Sequence, residues 1–158
     1  VHNLYIPAGG DLPDIKLNPK FEHKINFLSE IKDKFFKQEQ KKTIMVGDFN
    51  IAPLPDDVWS HKALLNVVSH TKIETDLLSE IKKRGKWIDT FREINPSGKL
   101  YSWWSYRARD WKFSNRGRRL DHIWASQDLK SNLSKVEIFS EARGWERPSD
   151  HVPILAIF

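Results

Sequence analysis

The chain has 158 residues, 26 Lys and Arg against 21 Asp and Glu for a net charge of +5, and no cysteine. That length suits a single domain, residues 1–158, around one core. The missing cysteines exclude a disulfide framework and a thiolate metal site, and no apolar run reaches membrane-spanning length. With no visible signal peptide, a cytoplasmic protein is expected, nucleoid-associated if bacterial. The first residue is Val1 and the one methionine is Met45, which suggests a processed or truncated product.

His2 to Pro7 reads as a short strand ended by proline, and Gly9-Gly10 turns the chain. Asn18-Pro19 is a helix start. Phe21, Ile25, Leu28, Ile31 and Phe35 then recur at three- and four-residue spacing, which predicts an amphipathic helix to about Gln38. Thr43 to Val46 is a buried strand that delivers Gly47-Asp48-Phe49-Asn50 at its end. If the extended form persists, alternation puts Asp48 and Asn50 on one side. Pro53 and Pro55 force a loop. Ile73, Leu77, Leu78 and Ile81 mark a second helix to Arg84, capped by Gly85. Trp87 to Arg92 is expected to be extended, and Asn95 to Gly98 is a turn. Leu100 to Trp104 is strand-like, and Arg107 to Gly117 is a polar loop studded with aromatics. Leu120 to Ala125, Val136 to Phe139 and Val152 to Phe158 are further strands. Strands interleaved with two clear helices give an α/β or α+β class.

The excess charge is local. Residues 107–119 hold six basic side chains (Arg107, Arg109, Lys112, Arg116, Arg118, Arg119) and one acid, Asp110; outside them basic and acidic groups balance at 20 each. A solvated loop is the plain reading. The adjoining Tyr101-Ser102-Trp103-Trp104-Ser105-Tyr106 run favours a polyanion footprint, because aromatics stack on bases while cations neutralise phosphates. On a strand, only one of Trp103 and Trp104 can face such a site.

Three acidic signatures surround this stretch: Asp48 with Asn50, Asp121 after Arg118-Arg119-Leu120, and Asp150-His151. Phosphodiester hydrolysis needs a hard cation to neutralise charge and a base to activate water. Asp48, Asn50 and Asp150 are the ligand types that Mg²⁺ or Mn²⁺ prefers. His151 can serve as acid or base if a partner fixes its tautomer, and Asp121 is the candidate. Singly, each reads as well as a turn aspartate or a structural histidine; the combination favours chemistry. His2, His23, His61, His70 and His122 are expected to be structural or on the surface.

Gly47-Asp48-Phe49-Asn50-Ile51-Ala52-Pro53, Trp87-Ile88-Asp89-Thr90-Phe91-Arg92, Ser102-Trp103-Trp104-Ser105-Tyr106-Arg107, Arg119-Leu120-Asp121-His122-Ile123 and Pro148-Ser149-Asp150-His151-Val152-Pro153 occur in that order. Together they resemble the exonuclease III family of abasic-site endonucleases, within the wider endonuclease/exonuclease/phosphatase fold. The resemblance implies Tyr5 at the scissile phosphate and Asp48 with Asn50 aligning water. It also implies Asp121 orienting the catalytic His151, and Asp150 with Asp48 at the metal. Trp103 and Leu120 would line an abasic-sugar pocket in which some members have an aromatic at the place of Arg118. DNA would be held by Trp103, Trp104, Arg107, Arg109, Arg116, Arg118, Arg119 and Leu120. The implied activity is metal-dependent cleavage at abasic sites and 3′–5′ trimming of duplex DNA with abasic or 3′-blocked ends.

Members of that family are about twice as long, with two similar halves forming a four-layer αββα sandwich. This sequence resembles the C-terminal half: one mixed sheet with helices on one face. The N-terminal half supplies an Asn and a metal-ligand Glu that have no counterpart here. The sheet's second face is therefore expected to pair with a missing N-terminal half or to self-associate. Two alternatives stay open: another phosphoesterase of this fold, acting on inositol phosphate, lipid or RNA, and an inactive DNA-binding half-domain.

Overall fold

The structure, a computed structural model, describes residues 1–35 and 40–158. The expected extension of the first helix to Gln38 and the side chain of Phe35 lie outside the described residues.

Strand β1 (His2–Tyr5) runs parallel to β2 (Ile44–Asp48), with helix α1 (Pro19–Phe35) in the crossover. Asn18 starts α1: its Oδ1 accepts from the Lys20 N–H at 3.0 Å, and its Nδ2 donates to the Gly9 carbonyl at 2.9 Å. The cap thus also ties down the glycine turn. After the short α2 (His61–Leu64), α3 (Lys72–Arg84) opens with a reciprocal cap between Thr71 and Glu74. Gly85 ends α3 in a right-handed conformation, and the left-handed turn falls one residue later, at Lys86.

Two expected extended segments differ. Only Ile88–Asp89 forms a strand, β3, and α4 (Thr90–Ile94) follows at once. The cause is local, since the Asp89 side chain accepts from the Arg92 N–H and starts a helical turn. Leu100 to Trp104 makes only isolated bridges, from Trp103 to Arg118 and to His151. The basic loop contains one turn of helix, α5 (Trp111–Ser114), before β4 (Asp121–Ala125), β5 (Lys135–Ile138) and β6 (Ile154–Ile157).

The main sheet has the order β1-β2-β4-β3, with β1 parallel and the rest antiparallel; β5 and β6 form a separate antiparallel pair. This is the mixed sheet with helices on one face that the resemblance implies. Phe21, Ile25, Leu28 and Ile31 of α1 and Leu78 and Ile81 of α3 pack with Met45 and Trp124. Each such buried side chain contributes about 1.5–3 kcal/mol. No helix among the described residues is long and apolar enough to cross a membrane.

Register places the site. Met45 pairs with Trp124, and Asp48 pairs with both Tyr5 and Asp121. An odd separation along a strand means opposite faces, so Tyr5, Asp48 and Asp121 form a row on the face away from the helices. Gly47 lets β1 come this close: a Cβ there would sit 1.9 Å from the Leu4 carbonyl oxygen, and its φ is +133°.

Candidate active site

Asp48 and Asn50 meet, though not through strand alternation. The strand ends at Asp48, and Asn50 turns left-handed with φ 51°. Its N–H donates to Asp48 Oδ1 at 2.8 Å, while its Nδ2 donates to Asp48 Oδ2 at 2.9 Å and to the Ile6 carbonyl at 2.8 Å. Asparagine tolerates this conformation because its short amide bonds locally. Beneath the turn, the buried Lys24 donates to the Asn50 carbonyl at 2.8 Å and pairs with the equally buried Glu74. Lys24 interrupts the apolar stripe of α1, so periodicity alone passes over it.

His151 Nδ1 donates to Asp121 Oδ2 at 2.8 Å, and its Nε2 lies 3.8 Å from Asp48 Oδ2. A carboxylate only accepts, so Nδ1 carries the proton and Nε2 points toward Asp48. Ser102, fully buried, organises Asp121. Its Oγ donates to Asp121 Oδ2 at 2.6 Å and accepts from the N–H groups of Leu120 and Asp121 at 3.1 and 3.0 Å. Sequence reasoning missed Ser102; its one trace was a small polar residue placed among aromatics.

Burial, aided by the facing Asp121 charge, raises the Asp48 carboxyl to about 6, against the pull of the Asn50 N–H and His151. Burial opposes the charge on His151, but the Asp121 hydrogen bond and the charges of Asp121, Asp48 and Asp150 outweigh it, and its pKa rises. Asp48, Asp121 and His151 each offer one ligand atom, all within 4.8 Å of one another. Two carboxylates held in register beside an imidazole can hold a metal ion, and a cation there relieves their repulsion.

Asp48 and His151 open into a cleft of about 780 Å³, also lined by Tyr5, Asn50, Trp103, Arg107, Arg116, Arg118, Leu120 and Asp150; Asp121 is not among its lining residues. Tyr5 stands 68% exposed at its rim. Arg109 is exposed but is not among the lining residues.

Asp150 lines the cleft beside His151, and its Oδ2 accepts from Trp103 Nε1 at 2.9 Å. Two placements correct the expectations. Trp104 is buried among Tyr101, Ala142 and Val152, its indole N–H on Asn115. Arg119 is 1% exposed and clamped between Asp57 and Asp89 by four hydrogen bonds of 2.7–3.0 Å. Four of its five N–H donors are taken by carboxylates, and its burial keeps the group from reaching a DNA phosphate. Arg92 joins the same network through Asp57.

Residues 28–151 match the endonuclease/exonuclease/phosphatase family. The chain belongs to that family. It is 30% identical to exodeoxyribonuclease III of Haemophilus influenzae over 170 residues, which cover 100% of this chain and 61% of that protein. An AP endonuclease from Archaeoglobus fulgidus superposes with a TM-score of 0.90 at 28% identity, covering 99% of this chain and 60% of the other. The 3′ phosphatase NExo from Neisseria, bound to a product DNA hairpin, superposes at 0.84 and 29% identity, covering 99% and 59%. The chain thus spans about three fifths of the length of these relatives. Within the family fold, the site row lies where the strand ends of β2 and β4 meet the loop before β6.

Proposed function

We propose that this chain carries the phosphodiesterase centre of a DNA-repair nuclease of the exodeoxyribonuclease III type, cutting at abasic sites and trimming 3′ ends. The observation that carries the reading is the convergence of Asp48, Asp121 and His151, of which Asp48 and His151 line a cleft together with Trp103, Arg107, Arg116 and Arg118. The similarity to exodeoxyribonuclease III and to a 3′ phosphatase bound to a product DNA hairpin supports the substrate class.

In this reading the scissile phosphorus sits between Asp48 and His151. Asp48, its carboxylate oriented by two Asn50 donors, accepts a hydrogen bond from the attacking water and aligns it. His151 meets a phosphoryl oxygen or the water proton through Nε2, while Asp121 and Ser102 fix its ring. Positioned proton transfer of this kind contributes about 10²–10⁴-fold. Tyr5 donates from the rim to the phosphate. Mg²⁺ or Mn²⁺ held by Asp48 and Asp121 would neutralise charge on the phosphoryl oxygens and the leaving oxygen. Arg107 and Arg116 hold the flanking backbone. Asp150 acts through Trp103.

A second layer belongs to the proposal. The sheet face opposite α1 and α3 carries the half-buried Ile44, Val46 and Ile123. Each Å² of apolar surface covered there stabilises by roughly 25 cal/mol, which favours a further half-domain or a second copy on this face. Sedimentation showing a stable 158-residue monomer at micromolar concentration would refute this layer. Cleavage of an abasic duplex with Mg²⁺, compared with a soluble inositol phosphate, tests the substrate. Preference for the small phosphoester, or salt-dependent DNA binding without cleavage, contradicts the DNA-nuclease reading.

A further inference from the structure

Beyond the trio, the cleft continues to a wall of Trp103, Arg118 and Leu120 facing Leu64, Val67 and Val68. Five of these six side chains are apolar or aromatic. Arg118 is the exception, and among the described residues no carboxylate forms an ion pair with it. Its Nη1 donates to Ser69 Oγ at 2.7 Å and to the Val68 carbonyl at 3.2 Å, both neutral. Its Cζ stands 5.2 Å from the centre of the Trp103 ring. The carboxylates of Asp57 and Asp89 are taken by Arg119, and Glu74, whose field reaches Arg118, is paired with Lys24. Arg118 Nε is buried with no hydrogen bond, and burial lowers the group's pKa. A cation held like this is costly until an anion completes it.

The reacting phosphorus is placed at Asp48 and His151, so whatever it bears on its far side enters this pocket. We propose that Arg118 is a specificity-determining residue that selects DNA ends carrying an additional anionic group there over internal sites where a neutral sugar follows. The inference rests on the phosphodiesterase reading above and names the substrate class of that same site. A phosphodiester bears one negative charge, and a terminal phosphomonoester bears close to two at neutral pH. A guanidinium fork grips such a group with paired, charge-assisted hydrogen bonds. A neutral sugar strips water from the guanidinium and returns no charge. The extra anion could equally be the carboxylate of a carboxymethyl phosphate ester. With a terminal phosphate, water forms the new bond to phosphorus, the bond from phosphorus to the 3′ oxygen breaks, and that oxygen takes a proton. The products are inorganic phosphate and a 3′-hydroxyl end. Trp103, pinned by Asp150, gives the guanidinium its aromatic face and keeps it in the pocket.

The test uses the intact protein with Mg²⁺ and three DNA hairpins: one with a 3′-phosphate, one with a 3′-carboxymethyl phosphate and one with an internal abasic analogue. Wild type, Arg118→Gln and Arg118→Lys are compared by kcat/KM, with thermal midpoints reporting the fold. Arg118→Gln is expected to lose about 30-fold or more on the anionic ends, the cost of truncating one partner of a desolvated charge pair. The loss on the abasic substrate should be at least tenfold smaller, so that the ratio of anionic to abasic activity falls, and Arg118→Lys should keep most of the preference. Loss on the phosphate arm, the carboxymethyl arm or both supports the inference and identifies the anion. An unchanged ratio between anionic and abasic substrates in Arg118→Gln overturns it and leaves the nuclease reading standing. If no hairpin is cleaved even by wild type, the nuclease reading fails. Metal-free binding of the same hairpins then decides: equal affinity of wild type and Arg118→Gln for the 3′-phosphate overturns the inference, and a 30-fold gap sustains the pocket's anion preference.

Discussion

Asp57→Asn changes one oxygen to an amide and removes one negative charge from a site that solvent does not reach. Asp57 is 0% exposed. Its Oδ1 accepts from Arg119 Nε at 2.8 Å and from Arg92 Nε and Nη2 at 3.2 and 2.5 Å. Its Oδ2 accepts from Arg119 Nη2 and the Leu54 N–H, both at 3.0 Å. An asparagine cannot accept on both sides, so whichever way it turns, two or more donors face an NH₂ group. Arg119 then keeps only the carboxylate of Asp89, and the Arg92 guanidinium keeps only the carbonyls of Asn95 and Gly98. Breaking a buried pair in this way costs about 3–5 kcal/mol, against a total stability on the order of 5–15 kcal/mol. With a urea slope of about 2 kcal/mol per molar, the unfolding midpoint should fall by roughly 2 M. Tryptophan fluorescence can follow it, since Trp87 and Trp124 sit in the core. Because Arg119 lies between Arg118 and Leu120, the same variant should also weaken DNA binding. A midpoint shift under about 0.5 M would mean that the Arg92–Asp57–Arg119–Asp89 network does not support the fold, and the reasoning would be refuted.

Other outcomes follow from the same geometry. Burial raises Asp57 and Asp89, but the Arg119 charge and hydrogen bonds outweigh it and both carboxyls end below the usual range. Their contribution is therefore complete above the unfolded value of about 3.9 and is lost as pH falls through the lower folded values. Urea midpoints between pH 6 and 3 should drop more steeply for wild type than for Asp57→Asn, and parallel curves would contradict the assignment. Asp48 is shifted the other way, to about 6, so its ionised form opposes folding above that pH. Asp48→Asn should keep or raise the metal-free thermal midpoint at pH 7.5, and with Mg²⁺ its hydrolysis should fall by about 10²-fold or more; a clearly lower midpoint would show that the charge is needed for folding. Ser102→Ala removes the donor to Asp121 and should lower kcat by about 10–100-fold with KM little changed. In Asp121→Asn, the His151 ring resonances should titrate at a lower pH than in wild type, and an unmoved midpoint would rule out the Asp121 contact.

Much of the site was legible in the chain because its acids stand where strands begin or end. Gly47-Asp48-Phe49-Asn50 follows an apolar run and Asp121 opens one, and pattern alone locates both. Register then brings Asp48 and Asp121 together, and register is a property of the sheet. What was hidden depends on partners far along the chain. Arg118 and Arg119 are indistinguishable by composition, yet one lines the cleft and the other is buried, because Asp57 and Asp89 meet behind Arg119. Asp57, Ser102 and Lys24 look like surface residues until the fold closes over them. Asp150 reads as a ligand by its neighbour His151, and only the fold shows that its carboxylate also holds the Trp103 indole. Trp87 to Arg92 looked extended because Asp89 serves both as the last strand residue and as the cap of the next helix.

The most direct measurement is single-turnover cleavage of an end-labelled abasic duplex by the intact protein, with Mg²⁺ and with chelator, for wild type and His151→Gln, alongside DNA affinity by anisotropy. The account predicts metal-dependent cleavage that falls by about 10³-fold in His151→Gln, with affinity for the duplex unchanged. Cleavage that survives either the chelator or the substitution would contradict it.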